Sequence, residues 1–493
     1  MARRPRGLPV PLLDGLRDGD GASLQARLHG RLRKAILDGA LTPGAALPAT
    51  RRLAEDAGLS RNTVEAVYDQ LEAEGFVERR HGSGSFVSPA LPERELAPAG
   101  ARTPPPAPGT ASPVRLSRRG LLMARPYGPD EAPVGRAFVP TLPALDLFPR
   151  QLWARLLARA ARAPGPEHLT AGDRAGFRPL REAIAAYVGS TRAVACSPDQ
   201  VVVLTSSQQA IDLAVRLLTD PGDRVWHEEP GYRAAAAAFL AAGAEVVPVP
   251  VDAEGIDVAA GQRLAPDARL AYVSPSHQYP TGVAMSLSRR LQLLAWAARA
   301  DAFVIEDDYD SEFRFEGRPL AALQGLDQAG RVVYVGTFNK LMFPALRLAY
   351  LVAPPDLAER FVAARVLIDG HASTLPQAAL ADFIGEGHLG SHLRHMRTVY
   401  EERRRALVDA VATLDGRLVL GPIDGGMHAC AYLPAGADDV AIAAAARRVG
   451  VELRPLSRLY LGPARPGFIL GFAAARPAEI RSAIERIARL LQN

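Results

Sequence analysis

Lysine is nearly absent from this chain. Of 58 basic residues only two are lysine, Lys34 and Lys340. Arginine replaces lysine on most solvated surfaces, but its guanidinium stays protonated and cannot form an imine. A lysine kept where arginine is the habit is therefore a candidate nucleophile. Lys34 lies in GRLRKAILDG, a helical pattern with a solvated face, and needs no special reason. Lys340 lies in VVYVGTFNKLMFPALR, just past an apolar strand-like run. An amine there is placed to condense with an aldehyde, and Arg347, seven residues on, can return to a phosphate.

Other strand-like runs also end in polar residues. QVVVL is followed by TSSQQAIDL, where the backbone amides of Ser206, Ser207 and Gln208, with the hydroxyls, offer a seat for a phosphate or simply cap a helix. DRVWHEEPGY puts Tyr232 after a Pro-Gly turn, where its ring can lie over a planar ligand or pack as an ordinary aromatic. LAYVS is followed by PSHQYPTG, a polar turn with His277, Gln278 and Tyr279. AFVI runs into EDDYDSEFRF. There Asp307 is the carboxylate chosen to keep a pyridinium nitrogen protonated, with Tyr309 in reach of the same ligand's phenolic oxygen. A solvated acidic loop or a metal site are the other readings of this run. A metal would want histidine or further acids nearby in sequence, and none is expected to bind. A phosphate seat, a ring-stacking tyrosine, a carboxylate and an amine on successive strand ends describe one ligand, pyridoxal 5′-phosphate.

The elements that must position these groups follow from periodicity. From about residue 126 to 493, apolar strand-like runs alternate with helix-length segments, which predicts an α/β domain with a mostly parallel sheet. Such sheets bind ligands beyond the carboxyl ends of their strands. With 493 residues the chain is too long for one ordinary core, so a second domain is expected. The start, MARRPRGLPVPLLDG, lacks an apolar signal-peptide core, and no apolar run reaches membrane-spanning length. Two cysteines make no disulfide framework, so a reduced, cytoplasmic protein is expected.

Residues 1–88 form the second unit. LQARLHGRLRKAILDGAL is a helix closed by Gly39, LPATRRLAEDAGL a second with Thr50 as its expected N-cap, and SRNTVEAVYDQLEAEGFV a third capped by Ser60. ERRHGSGSFVS gives two short strands around a Gly-Ser turn. Two helices joined by a tight turn at Gly58 and Leu59, then a basic hairpin, make a winged helix-turn-helix. Its third helix would read the major groove of double-stranded operator DNA with Arg61, Asn62 and Thr63. Arg51 and Arg52 would meet phosphates, and Arg79, Arg80 and His81 the minor groove or the backbone. Residues 1–88 hold 13 basic and 11 acidic residues, so placement rather than net charge carries the reading. Residues 89–125, rich in proline and alanine, read as a semi-rigid linker.

On these motifs the chain resembles the MocR-type regulators, a branch of the GntR family. GALTPGAALPATRRLAEDAGLSRNTVEAVYDQLEAEGFVERRHGSGSFV is similar to their winged-helix half. LTSSQQAIDL, DPGDRV, EEPGY, SPSHQYPTG, IEDDYDSEFRF, GTFNKLMFPALRLAYLV and GHLGSHLRHMRTVY are similar to their half related to fold-type I aminotransferases. The resemblance implies a domain-swapped homodimer that binds pyridoxal phosphate and regulates transcription, not a dedicated transaminase. By position it makes Lys340 the Schiff-base lysine and Asp307 the partner of the ring nitrogen. Tyr309 would bond the phenolic oxygen and Tyr232 stack on the ring. Ser206, Ser207, Gln208, Thr337 and Arg347 would surround the phosphate.

Two positions depart from the enzymes of that fold. Where they carry Asn before PTG, this chain has Tyr279; where they carry the arginine of RLGF, it has Ile469 in GFILGF. Without that arginine a buried carboxylate lacks its charge partner, at a cost of several kcal/mol. Arg465, His428 and Arg454 are the basic residues left to compensate. The expected effector is thus pyridoxal phosphate itself or a small amine-type compound without a carboxylate clamp, which points toward vitamin B6 metabolism. The alternatives are an active aminotransferase with an accessory DNA-binding head, and a fold that has lost its cofactor and serves only for dimerisation.

Overall fold

The structure, a computed structural model, describes residues 16, 23–80, 82–89, 115–124, 135–163, 169–170, 172–317 and 320–492. His81 and residues 90–114, most of the expected linker, lie outside them. The chain divides into two compact units, Met1–Val114 and Arg115–Asn493.

In the first unit, helices α1 (Leu24–Leu37), α2 (Thr50–Ala57) and α3 (Arg61–Ala73) precede a two-stranded wing, β1 (Val77–Arg80) and β2 (Gly84–Val87). Ser23 and Ser60 start α1 and α3 by accepting hydrogen bonds from Ala26 N (3.2 Å) and Thr63 N (3.1 Å). Thr50 does not cap α2. It is the first helical residue, and Ala49 before it has no side-chain oxygen to offer. Gly58 ends α2 in the left-handed region (φ 63°), which allows the sharp turn into α3. Val64, Val67, Tyr68 and Leu71 recur at helical spacing and bury one face of α3 against Leu28, Leu32 and Leu53. The opposite face is left to solvent.

The second unit is built on an eight-stranded sheet. Its strands are β3 (Val201–Leu204), β4 (Arg224–Glu229), β5 (Glu245–Asp252), β6 (Gly255–Ile256), β7 (Leu270–Val273), β8 (Phe303–Asp308), β9 (Val332–Thr337) and β10 (Ala349–Val352), in the order β3-β10-β9-β8-β7-β4-β5-β6. Strands β9, β8, β7, β4 and β5 run parallel; β10 and the short edge strand β6 run against their neighbours. Sequence periodicity places each of the long runs correctly but predicts a helix after every one. After β9 the chain instead turns back within residues 338–348 and enters the antiparallel β10. This turn keeps Lys340 at a strand end instead of carrying it off along a helix.

Helix α4 (Arg118–Met123) falls in the stretch expected as linker; Ser117 caps it by accepting from Gly120 N (2.9 Å). Helices α5 (Arg150–Arg162), α6 (Arg178–Arg192), α7 (Ser207–Leu218) and α8 (Arg233–Ala242) follow, and α4 packs against α8. Then come α9 (Val258–Leu264), α10 (Leu287–Arg299), α11 (Ala358–Asp369), α12 (Thr374–Gly385) and the long α13 (His388–Ala412). One sheet face packs on α7, α8 and α11 through Ile211, Phe239, Tyr272 and Phe361. The other carries the stacked pair Trp226 and Trp296, 3.7 Å between centroids. A four-stranded antiparallel sheet, β11 (Val419–Leu420), β12 (His428–Tyr432), β13 (Arg454–Pro455) and β14 (Gly467–Gly471), follows in the order β11-β12-β14-β13, with α14 (Asp439–Arg448) and α15 (Pro477–Leu490).

Replacing Ser60 by alanine removes the cap of α3. The expected result is a loss of about 1 kcal/mol in the stability of the first unit, read from its denaturation midpoint. An unchanged midpoint would mean that the cap does not hold the helix.

Candidate cofactor site and DNA-reading surface

Arg61 and Asn62 are exposed on the first turn of α3, with Thr63 beside them. Arg51 and Arg52 are exposed on the first turn of α2. Among the described residues each of these arginines makes only a loose i,i+4 ion pair, Arg51 with Glu55 (3.5 Å), Arg52 with Asp56 (3.9 Å) and Arg61 with Glu65 (3.6 Å). Such exposed pairs are worth a fraction of a kcal/mol and yield readily to a phosphate or a base. The wing differs. Arg79 is tied to Asp69 and Glu72 of α3, and Arg80 lies over the Phe86 ring at 4.9 Å. Arg79 therefore braces the wing against α3.

In the second unit the candidate groups gather at the carboxyl ends of neighbouring strands. Lys340 follows β9, and Asn339 fixes the turn that carries it. Asn339 donates from Nδ2 to Thr205 O (3.3 Å), accepts at Oδ1 from Leu348 N (3.0 Å), and its own N donates to Thr337 Oγ1 (3.2 Å). One buried amide thus joins the ends of β3 and β9 to the start of β10. Lys340 Nζ donates to Thr141 Oγ1 at 2.8 Å. Burial pulls the amine down from its ordinary 10.5 to about 8; the Arg454 cation adds to this, while Asp310 and Asp307 oppose it.

The acid run at the end of β8 is sorted by strand alternation. Glu306 accepts from Leu323 N (2.7 Å) and Gln324 N (2.8 Å), and burial lifts its carboxyl to about 7. Asp308 pairs with the buried Arg192 (2.7 Å) and accepts from the Tyr334 hydroxyl (2.7 Å). Asp307, between them, points to the other face. The Tyr272 hydroxyl donates to its Oδ2 at 2.7 Å, while its buried Oδ1 has no hydrogen-bond partner among the described residues. Burial raises Asp307 to about 6, against the pull of Tyr272. A buried carboxylate with one oxygen left unpartnered is shaped to receive a single N–H donor.

Tyr309 is buried, its hydroxyl 3.1 Å from His277 Nδ1, and that nitrogen is 3.1 Å from Asp310 Oδ1. Asp310 accepts from Met427 N through its other oxygen (3.1 Å). His277 has room because residue 426 is glycine; a Cβ there would lie 2.0 Å from the ring. One ligand atom each from His277, Asp310 and His428 lies within 4.8 Å of the others, a set able to hold a metal ion. Spacing in sequence does not bring the three together, because His428 comes from a different sheet.

Tyr232 stands at the head of α8, edge-on to Tyr279 at 6.0 Å. Burial raises its hydroxyl to about 12, with Asp307 next in effect. His227 stacks on Tyr272 at 5.8 Å and reaches Tyr232 O with Nε2 (3.0 Å), bracing the tyrosine that braces Asp307. Gln278 donates to Glu228, Pro230 O and Tyr279 O, and accepts from Thr281, locking the turns after β4 and β7 together.

At the expected phosphate seat, Ser206 is the N-cap of α7: its hydroxyl accepts from Gln209 N (3.1 Å). Ser207 and Gln208 are the first helical residues, whose amides have no partner within the helix. Gln208 donates to Ala234 O (2.8 Å). Thr337 is buried at the end of β9. Arg347, exposed with φ 54°, sits one residue before Leu348, whose N donates to Asn339; its side chain makes no hydrogen bond or ion pair among the described residues. Asn339, Tyr272, His227 and Thr141 are not singled out by the sequence. Asn339 alone carries a signal there, as the neighbour of Lys340.

The two departures meet in space. Ile469 of β14 lies opposite Cys430 of β12 and Arg454 of β13, and packs with Tyr279, Tyr309 and Leu459. Arg454 Nη1 donates to the Tyr279 hydroxyl at 2.6 Å. Arg465 is engaged elsewhere, its guanidinium 3.8 Å from the Tyr432 ring centroid.

The fold and these groups define a winged-helix DNA reader joined to an aminotransferase-like core. Residues 24–87 match the family "Bacterial regulatory proteins, gntR family", and residues 151–487 match "Aminotransferase class I and II". The chain is 41% identical over 473 residues to the probable rhizopine catabolism regulatory protein MocR of Rhizobium meliloti, covering 96% of this chain and 94% of that one. It is 31% identical to the HTH-type pyridoxine biosynthesis transcriptional regulator PdxR of Corynebacterium glutamicum, over 92% of each chain. The solved structure of LysN, the α-aminoadipate aminotransferase of Thermus thermophilus complexed with N-(5′-phosphopyridoxyl)-L-leucine, matches with a TM-score of 0.67 at 30% identity, covering 72% of this chain and 91% of that one. The chain belongs to the MocR-type transcriptional regulators, which join a gntR-family winged helix to an aminotransferase-like domain.

Alanine at Arg61 or Asn62 is expected to weaken operator binding by roughly 5- to 100-fold, measured by fluorescence anisotropy at fixed salt. Alanine at Arg79 is expected to have the smaller direct effect. Equal losses at all three positions would contradict the assignment of α3 as the reading helix.

Proposed function

We propose that this regulator holds pyridoxal 5′-phosphate in its large unit and that occupancy of that site sets how it binds operator DNA. The observation that carries this is the lone Oδ1 of Asp307, buried on the strand next to the one that delivers Lys340. The ring nitrogen of the cofactor, once protonated, is the single donor that this oxygen wants. When bound, pyridoxal phosphate supplies an aldehyde that condenses with primary amines and an electron-withdrawing ring.

Each residue then has a defined task. Lys340 presents an amine that is partly neutral near pH 7. Asp307, held by Tyr272, keeps a proton on the facing nitrogen. Tyr309, backed by His277 and Asp310, faces the phenolic oxygen. Tyr232 covers the ring. The amides of Ser207 and Gln208, with Ser206, Thr337 and Arg347, take the phosphate. Asn339 sets the spacing between that seat and the lysine.

We read the protein as a regulator without a dedicated turnover role. Ile469 and Tyr279 replace two groups that the aminotransferase reaction of this fold relies on, so any transamination is residual. An active aminotransferase with an accessory head is the rival. A homodimer, domain-swapped as the family resemblance implies, would let two heads read two half-sites. The signal is either pyridoxal phosphate itself, which fits the relative named for pyridoxine biosynthesis, or a small amine that engages it. No helix among the described residues is long and apolar enough to cross a membrane, which suits a protein acting on DNA in the cytoplasm.

Uptake of the cofactor, followed by its visible absorption, is expected to quicken as pH rises and to level off just above 8. Below that pH a growing share of the Lys340 amine is protonated and cannot attack; an ordinary lysine would continue to gain up to about 10.5. Lys340→Ala should lose both the visible band and any effect of pyridoxal phosphate on operator affinity. Operator binding by the cofactor-free protein that is unchanged on adding the cofactor would overturn the proposed control.

A further inference from the structure

We infer that His277, Asp310 and His428 form a binding site for one divalent transition-metal ion of the zinc class, set behind Tyr309. The acid run after β8 has no histidine near it in sequence; the fold brings two to it.

Topology builds the set. His277 lies in the turn after β7, Asp310 stands two residues past β8, and His428 opens β12 in the other sheet. Met427 N donates to Asp310 Oδ2 (3.1 Å), which ties the start of β12 to the acid and leaves Oδ1 to face His277 Nδ1 (3.1 Å). The two imidazole rings stand 5.0 Å apart, inclined at 55°. Zinc holds its ligand atoms at about 2.0–2.2 Å, so in a tetrahedral site they lie about 3.4 Å from one another. The His277–Asp310 pair is already near that spacing. His428, with a ligand atom within 4.8 Å of both, has no more than about 1.4 Å to close.

A second observation points to a ligand. His428 is fully buried, and neither of its ring nitrogens makes a hydrogen bond among the described residues. The Pro280 carbonyl lies toward the ring without reaching hydrogen-bond geometry. A neutral imidazole carries one N–H donor and one lone pair, and burying both unmet is unfavourable. A metal ion takes the lone pair. The N–H, turned to the Pro280 carbonyl, then has the backbone partner that metal-bound histidines commonly have. His277 Nε2 is likewise buried without a hydrogen bond, and it can hold the ring proton while Nδ1 takes the ion.

The donor set selects the ion. Two imidazoles and one carboxylate suit zinc and its neighbours, whereas calcium and magnesium take oxygen ligands. The Tyr309 hydroxyl, 3.1 Å from His277 Nδ1, stands beside the place left for a fourth ligand. Arg454 and Lys340 are cations near His428, and Asp310 is the one anionic ligand. That balance suits an exchangeable ion more than a permanent structural one. An ion on His277 Nδ1 replaces the hydrogen bond to Tyr309, the group that faces the phenolic oxygen of the cofactor. This last link alone rests on the cofactor reading above, and it makes the ion a second signal to the same site.

The test uses the full chain without a histidine tag, freed of metal and of pyridoxal phosphate, whose own oxygens bind such ions. Titration with cobalt(II) chloride is expected to show one ion per chain, with the visible d–d absorption of a four-coordinate site that zinc chloride then bleaches. X-ray absorption at the zinc edge should show imidazole scattering and no sulfur, a result that does not depend on any variant folding. Asp310→Asn and His428→Gln should each weaken binding by at least the roughly 10- to 100-fold that loss of an outer partner causes, with near-ultraviolet circular dichroism reporting that each is folded. In protein loaded with pyridoxal phosphate, zinc should shift the cofactor band, and His428→Gln should abolish the shift. No stoichiometric cobalt uptake, zinc without imidazole scattering, or binding that survives both substitutions would overturn the site. Metal uptake with an unmoved cofactor band would overturn the link to Tyr309, and a protein that binds metal but never develops the band would overturn the cofactor reading and leave the metal site standing.

Discussion

The structure of the large unit turns on holding one half-buried amine and one buried carboxylate at the ends of adjacent strands. Asp307 is the penultimate residue of β8, and Lys340 follows β9, the strand paired with it. Holding the lysine where its pKa falls from 10.5 to about 8 costs about 3 kcal/mol while it is charged. A single hydrogen bond such as the one to Thr141 returns about 1 kcal/mol. The lysine is therefore kept in place by the surrounding fold, above all by Asn339, which knots the ends of β3 and β9 to β10. A desolvated pair of this kind is stable only if something else in the protein is tightly packed, and the Trp226–Trp296 stack and the apolar layers on both sheet faces supply that packing.

Much of this is legible in the sequence, for physical reasons. Parallel strands buried on both faces read as continuous apolar runs, so their carboxyl ends can be found and the polar residues there collected. The scarcity of lysine is enough to single out Lys340. The Ser60 cap and the turn at Gly58 and Leu59 are local chemistry and read correctly. Thr50 does not, because a threonine at the first helical position looks the same in sequence as one at the cap. Helix α4 is hidden by the proline-rich stretch around it.

The missed parts depend on contacts between distant residues. Tyr272 is an ordinary strand tyrosine until the fold puts it 2.7 Å from Asp307. Arg454 and Tyr279 are 175 residues apart and meet only because β13 pairs with β14. In sequence, Ile469 signifies a missing charge partner. In space, Arg454 of β13 lies opposite it. The same facts agree with a ligand site retained for sensing: Asp307 and Lys340 come together at adjacent strand ends, and Tyr279 and Ile469, the two positions that depart from the enzymes of this fold, pack on one another.

The central claim is that the lone oxygen of Asp307 accepts a proton-bearing ring nitrogen. The most direct measurement is the ¹⁵N NMR shift of the ring nitrogen in the full chain loaded with ¹⁵N-labelled pyridoxal phosphate. The account predicts the shift of a protonated pyridinium at neutral pH, lost when Asp307 is replaced by alanine. A neutral-pyridine shift in the unaltered protein would contradict it.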